Sequence, residues 1–95
     1  MKAVVLLPGV LREHAGGSDR VEVDLVDDAR LGAVLDLVST SWPVLGRRLR
    51  DDTGAVRRHV NVFVDGEAIK FTGGLSTPVR ERAELHVIPA VSGGA

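Results

Sequence analysis

The pair Gly93-Gly94 sits just before the last residue, Ala95, and closely follows a stretch, residues 83–89, that alternates like a strand. Glycine at that place does nothing for folding and adds only chain entropy. What it permits is passage. Backbone without side chains can thread a narrow channel and present its carboxylate deep inside another protein. Fully extended, residues 89–95 reach roughly 20–25 Å beyond the domain. Gly94 and Gly93 are therefore the first candidates for chemistry, Gly94 as the reactive end and Gly93 as clearance.

The other reactive side chains organise less well. His14, His59 and His86 are far apart in sequence and lack the spacing of metal motifs, and His59 and His86 read as strand residues. Asp27-Asp28 and Asp51-Asp52 are adjacent carboxylates beside a helix start and in a loop, where capping and solvation explain them better than acid–base work. Gly16-Gly17 and Gly73-Gly74 read as turn glycines. The sequence contains no nucleophile elbow, phosphate loop or dinucleotide fingerprint, so no nucleotide, metal or other cofactor is expected to be held by this chain. Arg47, Arg48, Arg50, Arg57 and Arg58 form a local basic cluster. It reads either as a solvated loop offset by Asp51 and Asp52, or as a docking surface for an acidic partner patch in which Arg57 and Arg58 take part.

The elements that must position these residues follow from composition and alternation. Ninety-five residues, 44% of them apolar, allow one small domain with a thin core. The chain has 16 Val against 2 Ile and three aromatics (Trp42, Phe63, Phe71), a bias toward strands. A net charge of −1 and the lack of interleaved aromatics argue against nucleic acid. The absence of cysteine excludes disulfides, thiolate metal sites and cysteine nucleophiles. The apolar run of residues 1–7 is broken by Pro8-Gly9 and lacks a cleavage signal, and no stretch approaches the ~20 residues of a membrane span. A cytoplasmic protein without membrane contact is the expectation.

Residues 2–7 predict a strand, and residues 20–26 a second one with Val21, Val23 and Leu25 on one face, the two joined as an antiparallel hairpin. Asp27-Asp28 is expected to start and cap a helix whose apolar stripe is Leu31, Val34, Leu35 and Val38. Pro43 ends it and opens a short helical piece. Residues 57–64 predict the third strand, Asp65-Gly66 a tight turn, residues 67–71 a returning strand and residues 83–89 the last. The order β-β-α-β-β-β calls for a mixed sheet covered on one face by one main helix, an α+β arrangement. If Ala3, Val5, Leu7, Val60, Val62, Val64, Leu85 and Val87 face the helix, then Val4, Leu6, Phe63, His86 and Ile88 face outward with no internal cover. Such an apolar face suggests a partner site anchored on Phe63.

The segment Val87-Ile88-Pro89-Ala90-Val91-Ser92-Gly93-Gly94 resembles the strand–Pro–small–small–Gly–Gly ending of the MoaD/ThiS family of small sulfur carriers. Val60-Asn61-Val62-Phe63-Val64-Asp65-Gly66 and Phe71-Thr72-Gly73-Gly74-Leu75-Ser76-Thr77-Pro78 support the likeness, which covers nearly the whole chain and is greatest toward CysO-type carriers. The resemblance implies a ubiquitin-like β-grasp domain over residues 1–89 and a flexible Gly-Gly tail over residues 90–95.

It also implies a relay in which this chain is not the enzyme. An adenylating partner (E1-like, of the MoeB/ThiF type) uses ATP to activate the terminal glycine. A sulfur donor displaces AMP to leave a thiocarboxylate. A sulfur-accepting biosynthetic enzyme then makes cysteine or another sulfur-containing metabolite. A carboxylate is unreactive because hydroxide leaves poorly, whereas the mixed anhydride with AMP is an acyl donor. A terminal –COSH stores sulfur without any cysteine. Where the family ends on Gly-Gly, Ala95 follows here. It is either removed by a JAMM-type metallopeptidase or tolerated as an extension. Two alternatives share much of this pattern, namely a ubiquitin-like modifier joined to lysines and a noncovalent β-grasp binding module.

Overall fold

Alternation of Val and Leu with polar residues builds a five-stranded mixed sheet in the computed structural model, which describes residues 1–89. The strands are β1 (Lys2–Leu6), β2 (Arg20–Asp24), β3 (Val60–Val64), β4 (Glu67–Ala68) and β5 (Ala83–Pro89), arranged β2-β1-β5-β3-β4. β1 and β5 run parallel and every other pair is antiparallel. Helices α1 (Leu31–Ser41) and α2 (Pro43–Leu49) lie between β2 and β3 in sequence. The tail, residues 90–95, lies outside the described residues, and with it the expectation of flexibility.

The core forms where the stripe of α1 meets the inner face of the sheet. Leu31, Val34, Leu35 and Val38 are buried, as are Val5, Val62, Leu85 and Val87. Each such side chain contributes about 1.5–3 kcal/mol by leaving water. Pro43 occupies the first turn of α2, where its missing N–H costs nothing, and lets Leu45 and Leu49 close the end of the core. The Asp65-Gly66 turn is as predicted, with both residues at positive φ (48° and 87°). Asp65 Oδ1 also accepts the N–H of Glu84 at 2.9 Å, tying the hairpin to β5.

Three expectations are corrected. Asp27-Asp28 does not cap α1. It forms a turn with Asp28 at φ 63°, and the helix starts at Leu31 behind Arg30 with no side-chain cap. A tertiary bond replaces the local one, since Leu31 N–H donates to Thr77 O at 2.9 Å. β3 begins at Val60 and not at residue 57, because Val60 N–H turns back onto Arg57 O. The returning strand is only two residues, Glu67–Ala68. Ile69–Phe71 then coils as a 3₁₀ turn, which tucks Ile69 against the core and leaves Phe71 81% exposed. A further 3₁₀ helix, Gly9–Ala15, fills the β1–β2 connection and buries Ala15.

α1 and α2 approach so closely that Gly46 has no room for a side chain. A Cβ there would stand 2.8 Å from the Ser39 Cα and closer still to its side chain. Gly46→Ala therefore costs about 1–3 kcal/mol of stability by overpacking. Gly9→Ala, at a position with open space, leaves the urea midpoint nearly unchanged. Equal midpoints for the two variants would show that the helices part freely.

Candidate functional site: the open sheet face and the root of the tail

β5 is the middle strand of the sheet, hydrogen-bonded to β1 on one side and β3 on the other. Its last residue, Pro89, is where the described chain stops and the tail begins. In sequence the Gly93-Gly94 segment thus follows the central strand, which ends at the same end of the sheet as Leu6 of the parallel β1. The pairing with β1 ends at His86, so residues 87–89 are held by β3 alone, Pro89 opposite Val60.

The register assembles the predicted outer face. Leu6 pairs with His86, and His86 pairs with Phe63, so these three form one row across β1, β5 and β3. Val4 lies two residues along from Leu6, beside Glu84, and Ile88 lies beside Asn61. Val4, Leu6 and Phe63 are half-buried by their neighbours, while His86 and Ile88 are exposed, Ile88 at 47%. His86 Nε2 stands 3.9 Å from Glu84 Oε1, an exposed contact of little energetic weight. No helix among the described residues covers this face, because α1 and α2 both pack on the other one.

The basic cluster divides. Arg50 leaves it to pair with Asp36 at 2.7 Å. Asp51, expected to offset the arginines, instead serves its own loop. The Thr53 hydroxyl hydrogen bond, helped by the amides of Thr53 and Ala55 and by the charge of Arg57, holds its carboxyl below the usual carboxylate range. Arg47, Arg48, Arg57 and His59 line one depression of about 430 Å³ with Val44. Arg57 is held there by donating from Nε to Arg47 O at 2.7 Å. Arg58 points to a different groove, beside Phe63.

Sequence distance concealed one association. His14 and His59 line a single cavity of about 300 Å³ with Arg48, Glu13 and Pro89, at the foot of the tail. No group of three metal-type ligands forms among the described residues. No helix among them is long and apolar enough to cross a membrane.

A β-grasp sheet with one covered face, one open face and a tail rooted on the central strand defines a ubiquitin-like protein. The chain belongs to the ThiS family, whose sequence pattern matches residues 5–94 and so ends at Gly94. It is 33% identical to the sulfur carrier protein CysO of Mycobacterium tuberculosis over 99% of this chain and all of that protein. It is 37% identical to small archaeal modifier protein 1 of Haloferax volcanii, covering 85% of this chain and 88% of that one. Among solved structures it superposes on a chain of the Amycolatopsis orientalis BexX/CysO complex with a TM-score of 0.85 at 33% identity, covering 97% of this chain and 99% of the other.

The two faces of β5 differ in what they bury, and stability measures that difference. Leu85→Ala, on the covered face, costs about 2–5 kcal/mol. Ile88→Ala, on the open face, changes urea stability by less than about 0.5 kcal/mol. Comparable losses would mean that the outer face is packed in the isolated protein.

Proposed function

We propose that this protein is a sulfur carrier whose Gly94 is charged by a separate adenylating enzyme and delivered as a thiocarboxylate. The observation that carries the reading is the family match running through Gly94 on a tail that issues from the central strand. The full-length similarity to the sulfur carrier protein CysO supports it.

Ala95 joins Gly94 through an amide, so hydrolysis of that bond comes first and frees the Gly94 carboxylate. A JAMM-type metallopeptidase is the class of enzyme that does this. A carboxylate oxygen then attacks the α-phosphorus of ATP on the partner, and the bond to pyrophosphate breaks. Hydrosulfide attacks the acyl carbon, the C–S bond forms and AMP leaves, giving Gly94–COSH. Gly93 keeps the channel clear of side chains. Val4, Leu6, Phe63, His86 and Ile88 form the contact with the adenylating enzyme, and Arg57 and Arg58 stand beside it to meet acidic groups. The chain binds no cofactor itself, and ATP belongs to the partner. The thiocarboxylate sulfur passes to a biosynthetic enzyme, with an O-activated serine as the acceptor and cysteine as the product. Cytoplasm, where ATP and reduced sulfur coexist, is the setting this chemistry requires.

The relationship to a small archaeal modifier protein favours a second reading, in which the same activated Gly94 is joined to lysine amines. Incubation with the host's adenylating enzyme, the metallopeptidase, ATP and sulfide separates the readings by intact mass. The expected product ends at Gly94 and is heavier by about 16 Da, the exchange of one oxygen for sulfur. The same gain on a chain retaining Ala95 overturns the trimming step. Conjugates that resist thiol reagents favour the modifier, and no adduct of either kind overturns both. Deleting residues 92–95 abolishes charging, and Phe63→Ala weakens enzyme binding about tenfold with the fold intact.

A further inference from the structure

β4 is so short that it pairs only with Phe63 and Val64. Residues 60–62 of β3 therefore have β5 on one side and no strand on the other. Val60 N–H is already bonded to Arg57 O, and the remainder of this edge is a template for pairing with another chain. Along it runs a groove of about 570 Å³. Val56, Ile69 and Leu75 line it, and so does Phe63, which also lies on the exposed sheet face. Val56, Ile69 and Leu75 pack against the core from its rim and stay half-exposed, so the groove has an apolar floor.

The charge around the groove has one sign. Its ionisable lining groups are Arg57, Arg58 and Lys70, with no carboxylate among them. None of the three has a salt-bridge partner among the described residues, where the bridges go to Lys2, His14, Arg20, Arg50 and His86 instead. Lys70 Nζ lies 5.1 Å from the centre of the exposed Phe71 ring, just outside the groove. Arg58 and Lys70, together with Arg57, whose charge also acts on Asp51, repel the same edge of a second copy. They attract an extended segment of opposite charge.

We propose that this groove takes an extended acidic segment of a partner protein as an added strand along residues 60–62. Alternate apolar side chains of that segment lie over Val56, Ile69 and Leu75, and the intervening carboxylates meet Arg57, Arg58 and Lys70. The site goes beyond the carrier reading and does not use the tail.

The test is an NMR titration with a short capped peptide of alternating Val and Asp. Amide shifts are expected within residues 55–63 and 68–75, and they persist when residues 92–95 are deleted, so a failed sulfur-transfer assay leaves this result standing. The double variant Arg58→Glu with Lys70→Glu, both at exposed positions, keeps the remaining spectrum and loses at least about tenfold in affinity. The same variant gains binding to a peptide of alternating Val and Lys. The proposal is overturned by any of three results: no shifts with the Val/Asp peptide, shifts centred on Val4, Leu6 and Ile88, or equal binding of the two peptides to the unaltered protein.

Discussion

The parallel pairing of β1 with β5 is the contact on which the rest of the molecule hangs. It joins Val5 to Leu85, both fully buried, across almost the whole length of the chain. Closing that pair carries the largest loop-closure cost in the fold, and burial of the two strands against α1 offsets it. Once closed, it leaves little freedom. The helices must cross over one face, β2 must flank β1, and β3 must flank β5. Because the pair is parallel, the tail leaves from the end of the sheet where β1 finishes.

One face of this sheet is packed and the other is open, and both follow from having two short helices on the same side. A chain this small cannot cover two faces. The apolar residues left outside, Leu6, Phe63 and Ile88 among them, sit beside the root of the tail and at the mouth of the groove along β3. The fold thus leaves its open apolar face next to Pro89, the last residue of β5.

Charge is also distributed unevenly. Arg47, Arg48, Arg57 and His59 gather toward the tail end of the sheet, where Glu13 is the one carboxylate lining the cavity beside Pro89. At the opposite end Lys2 and Arg82 mix with Asp24, Glu81 and Glu84. A nearly neutral chain therefore presents a locally cationic region, and such regions raise the rate of encounter with acidic surfaces.

Strand alternation, the α1 stripe, the Pro43 break and the Asp65-Gly66 turn were legible in the residues, because each depends on interactions within a few positions. So was the division of β5 into Leu85 and Val87 inside and His86 and Ile88 outside, since period two is a local property. The family likeness of the Gly93-Gly94 ending was legible because it rests on residue types at fixed positions and not on packing. Tertiary contact decided the rest. Thr77 supplied the bond that Asp27-Asp28 was expected to provide at the start of α1. Ile69 left the returning strand to pack on the core, and that single departure exposed the edge of β3. His14 met His59, Asp36 took Arg50, and Gly46 met Ser39, all between residues whose spacing carries no signal. Local sequence determines which face of an element is apolar; only the closed fold determines what stands opposite it.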